Sequence, residues 1–130
     1  MSATGRYFWL LGAWIFFVIV LSLLPLPMKS SLRTHGRFHH SAHFVSFLIT
    51  ACVIGWHKRT PAWIALGCLA AIALGLSLEI AQVIVYGNFF EWDDLAVDSL
   101  GALAGAALLS YRARIQSRGK KVICHPAVKS

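Results

Sequence analysis

Residues 77–101 of the chain are SLEIAQVIVYGNFFEWDDLAVDSLG, and this stretch contains every acidic residue of the protein. Charges are rare elsewhere, because the 130 residues are 58% hydrophobic and 13% charged, with a net charge of +7. Soluble domains are about 45–50% apolar and about 25% charged. The composition therefore predicts a single-domain membrane protein. Its five acidic residues are Glu79, Glu91, Asp93, Asp94 and Asp98.

Apolar segments lie on both sides of the loop in this stretch, and two more come earlier in the chain. Each is long enough to cross a hydrocarbon core of about 30 Å at about 1.5 Å per residue. Pro25 and Pro27 end the first segment, for which a cleaved signal peptide is the alternative interpretation. We therefore predict an all-α, integral membrane four-helix bundle. Its helices cover about residues 7–24, 38–56, 62–85 and 94–111.

Small residues recur with helical spacing in the third and fourth segments. Rows of this kind let helices approach closely in a membrane. Each row also contains acidic residues near the same end of the predicted bundle, so we expect Glu79 and Asp98 to point inward and lie close together. The rows are Gly67, Ala71, Gly75 and Glu79 in the third segment, and Asp94, Asp98, Gly101 and Gly105 in the fourth.

Other polar side chains share these helical faces. His43, Ser46 and Thr50 fall on one side of the second helix, where they either face protein or, for the hydroxyls, bond their own backbone. Gln82 lies on the same face as Glu79 and can offer amide hydrogens. Glu91 and Asp93 are interpreted as solvated loop charge. The candidate binding residues are thus His43, Glu79, Gln82, Asp94 and Asp98.

The distribution of Lys and Arg predicts the orientation in the membrane. Of the twelve, three lie between the first and second segments, and the others lie at the amino end, after the second segment and after the fourth. Positive residues favour the cytoplasmic side, so both termini are predicted to be cytoplasmic. Residues 1–111 form the transmembrane domain, and residues 112–130 form a basic, disordered tail that would rest on anionic lipid headgroups.

Several other partners are not indicated. The basic residues lie between apolar segments and not over a soluble fold, which argues against nucleic acid binding. The three cysteines have neither disulfide nor zinc-site spacing. His, Glu and Asp can bind divalent cations, but the sequence gives no ligand geometry, so no metal ligand is assigned and the cofactor stays open. The expected partner is the lipid bilayer, and the oligomeric state is left open.

The order of these motifs resembles the VanZ-like family of small bacterial integral membrane proteins. The resemblance covers about residues 7–111 and implies a multi-pass protein of the inner, cytoplasmic membrane. In the family pattern an Arg usually lies six residues before the Asp and an Asn four residues after it, where this chain has Asn88 and Asp98. The family's namesake is associated with resistance to the glycopeptide antibiotic teicoplanin. The matching residues are His43, Phe44, Glu79, Gln82, Asp94, Gly101 and Gly105.

Three functions are compatible with these residues. In the first, the polar cluster binds or modulates a lipid-linked or glycan component of the cell envelope. In the second, the protein is an enzyme acting on such a substrate, with Asp98 or Glu79 as general base and His43 as a second proton carrier. Lys29 or Arg37 would then hold a phosphate group. Proton-coupled transport has the least support, because four helices without an evident repeat make a small transporter.

Overall fold

The computed structural model describes residues 3–24, 37–58, 60–87 and 89–123. These residues form four α-helices and no strand, which confirms the all-α, four-helix prediction. Lys29 and Asn88 lie outside the described residues. The helices are α1 (Ala3–Ser22), α2 (Arg37–Trp56), α3 (Pro61–Tyr86) and α4 (Trp92–Ile123).

The ends of α3 follow from the local sequence. Thr60 caps its start, where the side-chain oxygen accepts a hydrogen bond from the backbone N–H of Trp63 at 3.3 Å. Pro61 suits the first turn because it lacks an N–H that would otherwise need a partner. At the other end Gly87 has a φ of 66°, a left-handed conformation that glycine adopts without steric cost. The loop that follows carries the chain directly into α4.

The fourth helix differs from the prediction at both ends. It begins at Trp92, so Asp93 and Asp94 lie in its first turn, where carboxylates interact favourably with the free backbone N–H groups. It continues to Ile123, so residues 112–123, expected from the sequence to belong to a disordered tail, extend the helix. Residues 124–130 lie outside the described part of the chain.

Helices α2, α3 and α4 form a closely packed unit, and α1 lies mainly against α2. The hydroxyl of Tyr7 donates to the backbone oxygen of Val53 at 2.7 Å. Further along α1, the indole N–H of Trp14 donates to Thr50 Oγ1 at 2.9 Å, while the Thr50 hydroxyl donates to the backbone oxygen of Ser46 at 2.8 Å. Thr50 therefore both bonds its own helix and faces protein, which combines the two alternatives that the sequence left open.

Glycines of α3 and α4 face α2, which packs against both of these helices. A Cβ atom on Gly67 would lie 2.7 Å from the backbone oxygen of Ala51 and 2.8 Å from the backbone nitrogen of Gly55. On α4, a Cβ on Gly101 would meet the backbone oxygen of Phe44, and one on Gly105 would lie 2.6 Å from that of Leu48. The small residues therefore set the distance of α2 from its two neighbours.

The bundle has polar groups inside and large apolar groups outside. Among the described residues, the buried polar side chains include Glu79, Asp94, Asp98 and Thr50, each at most 4% exposed. The outer surface carries large side chains that are strongly exposed, among them Trp9, Leu69, Ile84 and Leu103. The described part of the chain also has an apolar core cluster, so the difference from a typical soluble domain lies in the many large aliphatic side chains that are exposed.

Two of the described helices are long and apolar enough to cross a membrane, namely Thr4–Ser22 and Pro61–Tyr86. This is weak support for a membrane protein, because a buried core helix and a signal sequence meet the same criterion. Helices α2 and α4 do not meet it, although four spans were expected. The histidines at the start of α2, the aspartates of α4 and the basic residues near its end lower their mean hydropathy.

Candidate functional site

The polar cluster lies at one end of the bundle, where α2 begins, α3 ends and α4 begins. The α3–α4 connection joins the last two of these helix ends, and α2 packs against both helices. Two residues with i, i+4 spacing on α2, His39 and His43, lie on one helical face opposite Asp94 and Asp98, which have the same spacing on α4. The first two turns of these helices therefore meet along matched rows of histidine and aspartate.

Asp94 is the residue of α4 that contacts the most histidines in this cluster. His39 Nε2 lies 2.8 Å from Asp94 Oδ2, which is hydrogen-bond distance. His40 Nε2 lies 3.7 Å from Oδ1, and His43 Nε2 lies 4.0 Å from Oδ2. Since Asp94 is only 4% exposed, these imidazoles replace the water that would otherwise solvate its carboxyl group.

Asp98 lies one turn deeper and is 1% exposed. Its Oδ1 is 2.9 Å from His43 Nδ1. With Asp98 as a carboxylate, which can only accept hydrogen bonds, the hydrogen of the neutral imidazole is on Nδ1 and the lone pair is on Nε2. Asp98 therefore orients the His43 ring so that its second nitrogen points towards Asp94.

Glu79 reaches the cluster from α3. Its Oε2 accepts a hydrogen bond from the backbone N–H of Glu91 at 3.3 Å, so the loop before α4 supplies a partner to this carboxyl group, which is 3% exposed. Asp98 lies opposite Gly75, whose Cβ position would be 2.9 Å from Asp98 Oδ2. Glu79 is one turn further along α3 and interacts electrostatically with Asp94 and His43.

The structure thus gathers four of the five residues selected from the sequence, His43, Glu79, Asp94 and Asp98, at one end of the bundle. Gln82 is half-buried about one turn beyond Glu79, and its part in binding stays a prediction. Of the residues interpreted as loop charge, Glu91 also supplies its backbone N–H to Glu79, and Asp93 is exposed.

Two residues of the cluster were not selected from the sequence, His39 and His40. The second helix predicted from the sequence, residues 38–56, already contained both, and they lie in the first turn of α2. The available signal was the equal spacing of His39 and His43 on one helix and of Asp94 and Asp98 on another. Spacing alone gave the face of each helix, and the facing of the two rows required the tertiary structure.

A cavity of about 540 Å³ opens beside the cluster. It is lined by His39 and His40 of α2 and by residues 90–94 of the α3–α4 connection and α4. The cluster is consequently buried within the bundle but reached from the surface at one side. Imidazoles and carboxylates in hydrogen-bond contact can exchange protons, and they can bind a cation or a polar headgroup at the cavity wall.

Of three comparisons with known proteins, one gave a match. Neither a curated protein nor a solved structure gave a match. The family model described as VanZ/LLP1 matches residues 10–114, which include most of α1 and α4, all of α2 and α3, and every residue of the polar cluster. Because this match covers most of the 130 residues, the chain belongs to the VanZ/LLP1 family.

Proposed function

We propose that this VanZ-family protein is a multi-pass protein of the bacterial inner membrane that binds a lipid-linked or glycan component of the cell envelope. The observation that carries the proposal is the cavity of about 540 Å³ beside half-buried His39 and buried Asp94, at one end of a bundle with an apolar outer surface. A polar site next to lipid-facing helices suits a ligand with a polar head and an apolar chain. Modulation of this component would connect the protein to glycopeptide resistance.

The apolar surface supports a location in the bilayer. Exposed Trp9 on α1, Ile84 on α3 and Leu103 on α4 would contact lipid chains, whereas the buried carboxylates find partners inside the bundle. Basic residues at the end of α4, such as Arg112 and Arg114, would lie among anionic headgroups. In this arrangement both termini are cytoplasmic, and the polar cluster lies at the extracytoplasmic end of the bundle.

A Glu91→Cys variant should test this orientation. Glu91 is exposed in the α3–α4 connection, so a membrane-impermeant maleimide should label it from outside intact cells. The native cysteines are first replaced by serine, and a cysteine at Lys58, which is exposed at the opposite end of the bundle, is the matched control. Labelling of Glu91→Cys only after the membrane is opened would contradict the proposed orientation.

Ligand binding should depend on the cluster and not on histidine content in general. In nanodiscs that contain a polyprenyl-diphosphate-linked saccharide, His39→Ala should weaken binding about tenfold, the usual effect of losing a hydrogen bond to a charged group. His57→Ala is the matched control, because His57 packs between Tyr7 and Trp63 at the other end of α2. Equal binding by the wild-type protein, His39→Ala and His57→Ala would contradict the proposal, and so would binding no stronger than that of empty nanodiscs.

The second candidate is an enzyme acting on the same class of substrate, and the His43–Asp98 pair favours it. A histidine whose Nδ1 is held by a carboxylate is a general arrangement for a base that accepts a proton on Nε2. Asp98 is 1% exposed, so it would act through His43, and Glu79 would influence the charge of the cluster. Conversion of the nanodisc substrate, followed by chromatography, distinguishes an enzyme from a binding protein.

A further inference from the structure

We propose that His39, His43 and Asp94 form a binding site for a divalent transition metal ion, with Zn²⁺ as the first candidate. One ligand atom from each residue can be chosen so that all three lie within 4.8 Å of one another. Two histidines and one carboxylate are a ligand set that zinc sites use when they keep a fourth position for water or substrate. The inference goes beyond the binding of an envelope component.

The two histidines come from one face of α2. Their i, i+4 spacing brings the rings to a centroid distance of 4.5 Å, with both near Asp94. A pair of histidines with this spacing on a helix is a common way to bind zinc. His39 Nε2 lies at the hydrogen-bond distance of 2.8 Å from Asp94 Oδ2, so a metal ion would replace a contact between two groups that are already adjacent.

Asp98 orients one of the two proposed histidine ligands, His43. The His43 Nδ1–H is held by Asp98 Oδ1 at 2.9 Å, which leaves Nε2 as the nitrogen that faces Asp94 Oδ2, 4.0 Å away. Histidines that bind metals nearly always donate their other ring N–H to a carboxylate, a carbonyl or water, since this fixes the ring and its tautomer. Asp98 is therefore a positioning residue for His43.

The charges of the cluster also favour a cation. Three carboxyl groups, those of Glu79, Asp94 and Asp98, are buried at this end of the bundle. Within the described ranges, the ion-pair partners of Asp94 and Asp98 are histidines. Neutral histidines do not compensate negative charge, whereas a divalent ion does so directly. Mg²⁺ and Ca²⁺ prefer oxygen ligands, so the two imidazoles select a transition metal.

The cavity beside the cluster gives access to this position. His39 and Asp94 belong both to the proposed ligand set and to the cavity wall. An ion held there would have protein on one side and a cavity of about 540 Å³ on the other. A ligand such as a phosphate or water could complete its coordination from that side.

Zinc titration of the full-length protein tests the inference. The protein is purified in detergent with a tag that contains no histidine, treated with a chelator and titrated with Zn²⁺ by calorimetry. We expect one ion per chain. His39→Ala and His43→Ala should each weaken binding more than about 100-fold, and Asp98→Asn about tenfold, because loss of a ligand costs more than loss of its outer partner. His57→Ala should bind as the wild-type protein does.

Thermal unfolding supplies a second measurement. Zn²⁺ should raise the unfolding temperature of the wild-type protein and of His57→Ala but not that of His43→Ala, since an ion that binds the folded state stabilises it. If His43→Ala does not fold, Asp94→Asn decides, because its amide oxygen can still accept the hydrogen bond from His39. Equal Zn²⁺ affinity in Asp94→Asn and the wild type, an equal loss in His57→Ala, or equal affinity for Mg²⁺ would overturn the site.

The proposed metal site and the proposed ligand binding fail in different ways. The titration contains the metal alone, so absence of zinc binding leaves the nanodisc experiment unaffected. Conversely, zinc binding without binding of the lipid-linked saccharide would support the metal site and contradict the proposed ligand.

Discussion

The free energy of unfolding of Asp98→Ala should be about 2 kcal/mol lower than that of Asp98→Asn. Both variants remove the buried carboxylate and its repulsion from Asp94, so these charge effects cancel in the comparison. They differ at His43 Nδ1, because the asparagine oxygen can accept its hydrogen bond, whereas alanine leaves the N–H of a largely buried ring without its acceptor. A buried donor without a partner costs about 1–3 kcal/mol.

The measurement is the midpoint of unfolding in mixed detergent micelles, with the wild-type protein as reference. Asp98→Asn should be as stable as the wild type or more stable, since it removes one of three buried negative charges. Equal stability of the alanine and asparagine variants would show that the His43 contact contributes nothing to folding. For function, a binding protein should retain its ligand in Asp98→Asn, and an enzyme that uses the His43–Asp98 pair should fold and lose activity.

Gly67→Ala should destabilise the bundle by about 2 kcal/mol. The new methyl group would lie 2.7 Å from the backbone oxygen of Ala51 and 2.8 Å from the backbone nitrogen of Gly55, so α2 and α3 would have to move apart. Overpacking of this kind costs about 1–3 kcal/mol, and at this position both obstacles are backbone atoms that cannot rotate away. The higher helix propensity of alanine returns about 1 kcal/mol at most.

Gly12→Ala is the matched control for this variant. Gly12 also lies within a helix, but a Cβ atom there would have no neighbour within 4 Å. The substitution should therefore leave stability unchanged or raise it by up to about 1 kcal/mol through helix propensity alone. Unfolding midpoints of the two variants in the same micelles give the comparison. A Gly67→Ala midpoint at or above that of Gly12→Ala would contradict close packing of α2 on α3.

The sequence predicted the number and positions of the helices because proline, glycine and apolar length act locally. Thr60 caps the start of α3 through its side chain, and Pro61 and Gly87 mark the helix ends through their backbone preferences. The predicted end of α4 at residue 111 was wrong, because the helix continues for twelve more residues. Charged residues such as Arg112 and Arg114 were interpreted as a tail, although they are also good helix formers. The charge of a segment does not by itself determine whether its backbone is helical.

The site was predicted less completely. Helical periodicity indicated that Glu79 and Asp98 point inward, and both are buried. It gave no information on partners, which depend on how helices distant in the sequence are rotated and shifted against each other. Asp98 consequently lies opposite Gly75 and bonds His43, and His39 enters the cluster through a contact with Asp94 across 55 residues of sequence.

The sequence by itself determined the helical class, the inward position of the acids and the small-residue rows of α3 and α4, since each follows from composition and a spacing of three to four residues. Only the tertiary structure decided that both rows pack on α2 and that His39 and His43 meet Asp94 and Asp98. The physical reason is that the glycines allow backbones to come within contact distance, and this close approach fixes which side chains at the helix ends can reach each other.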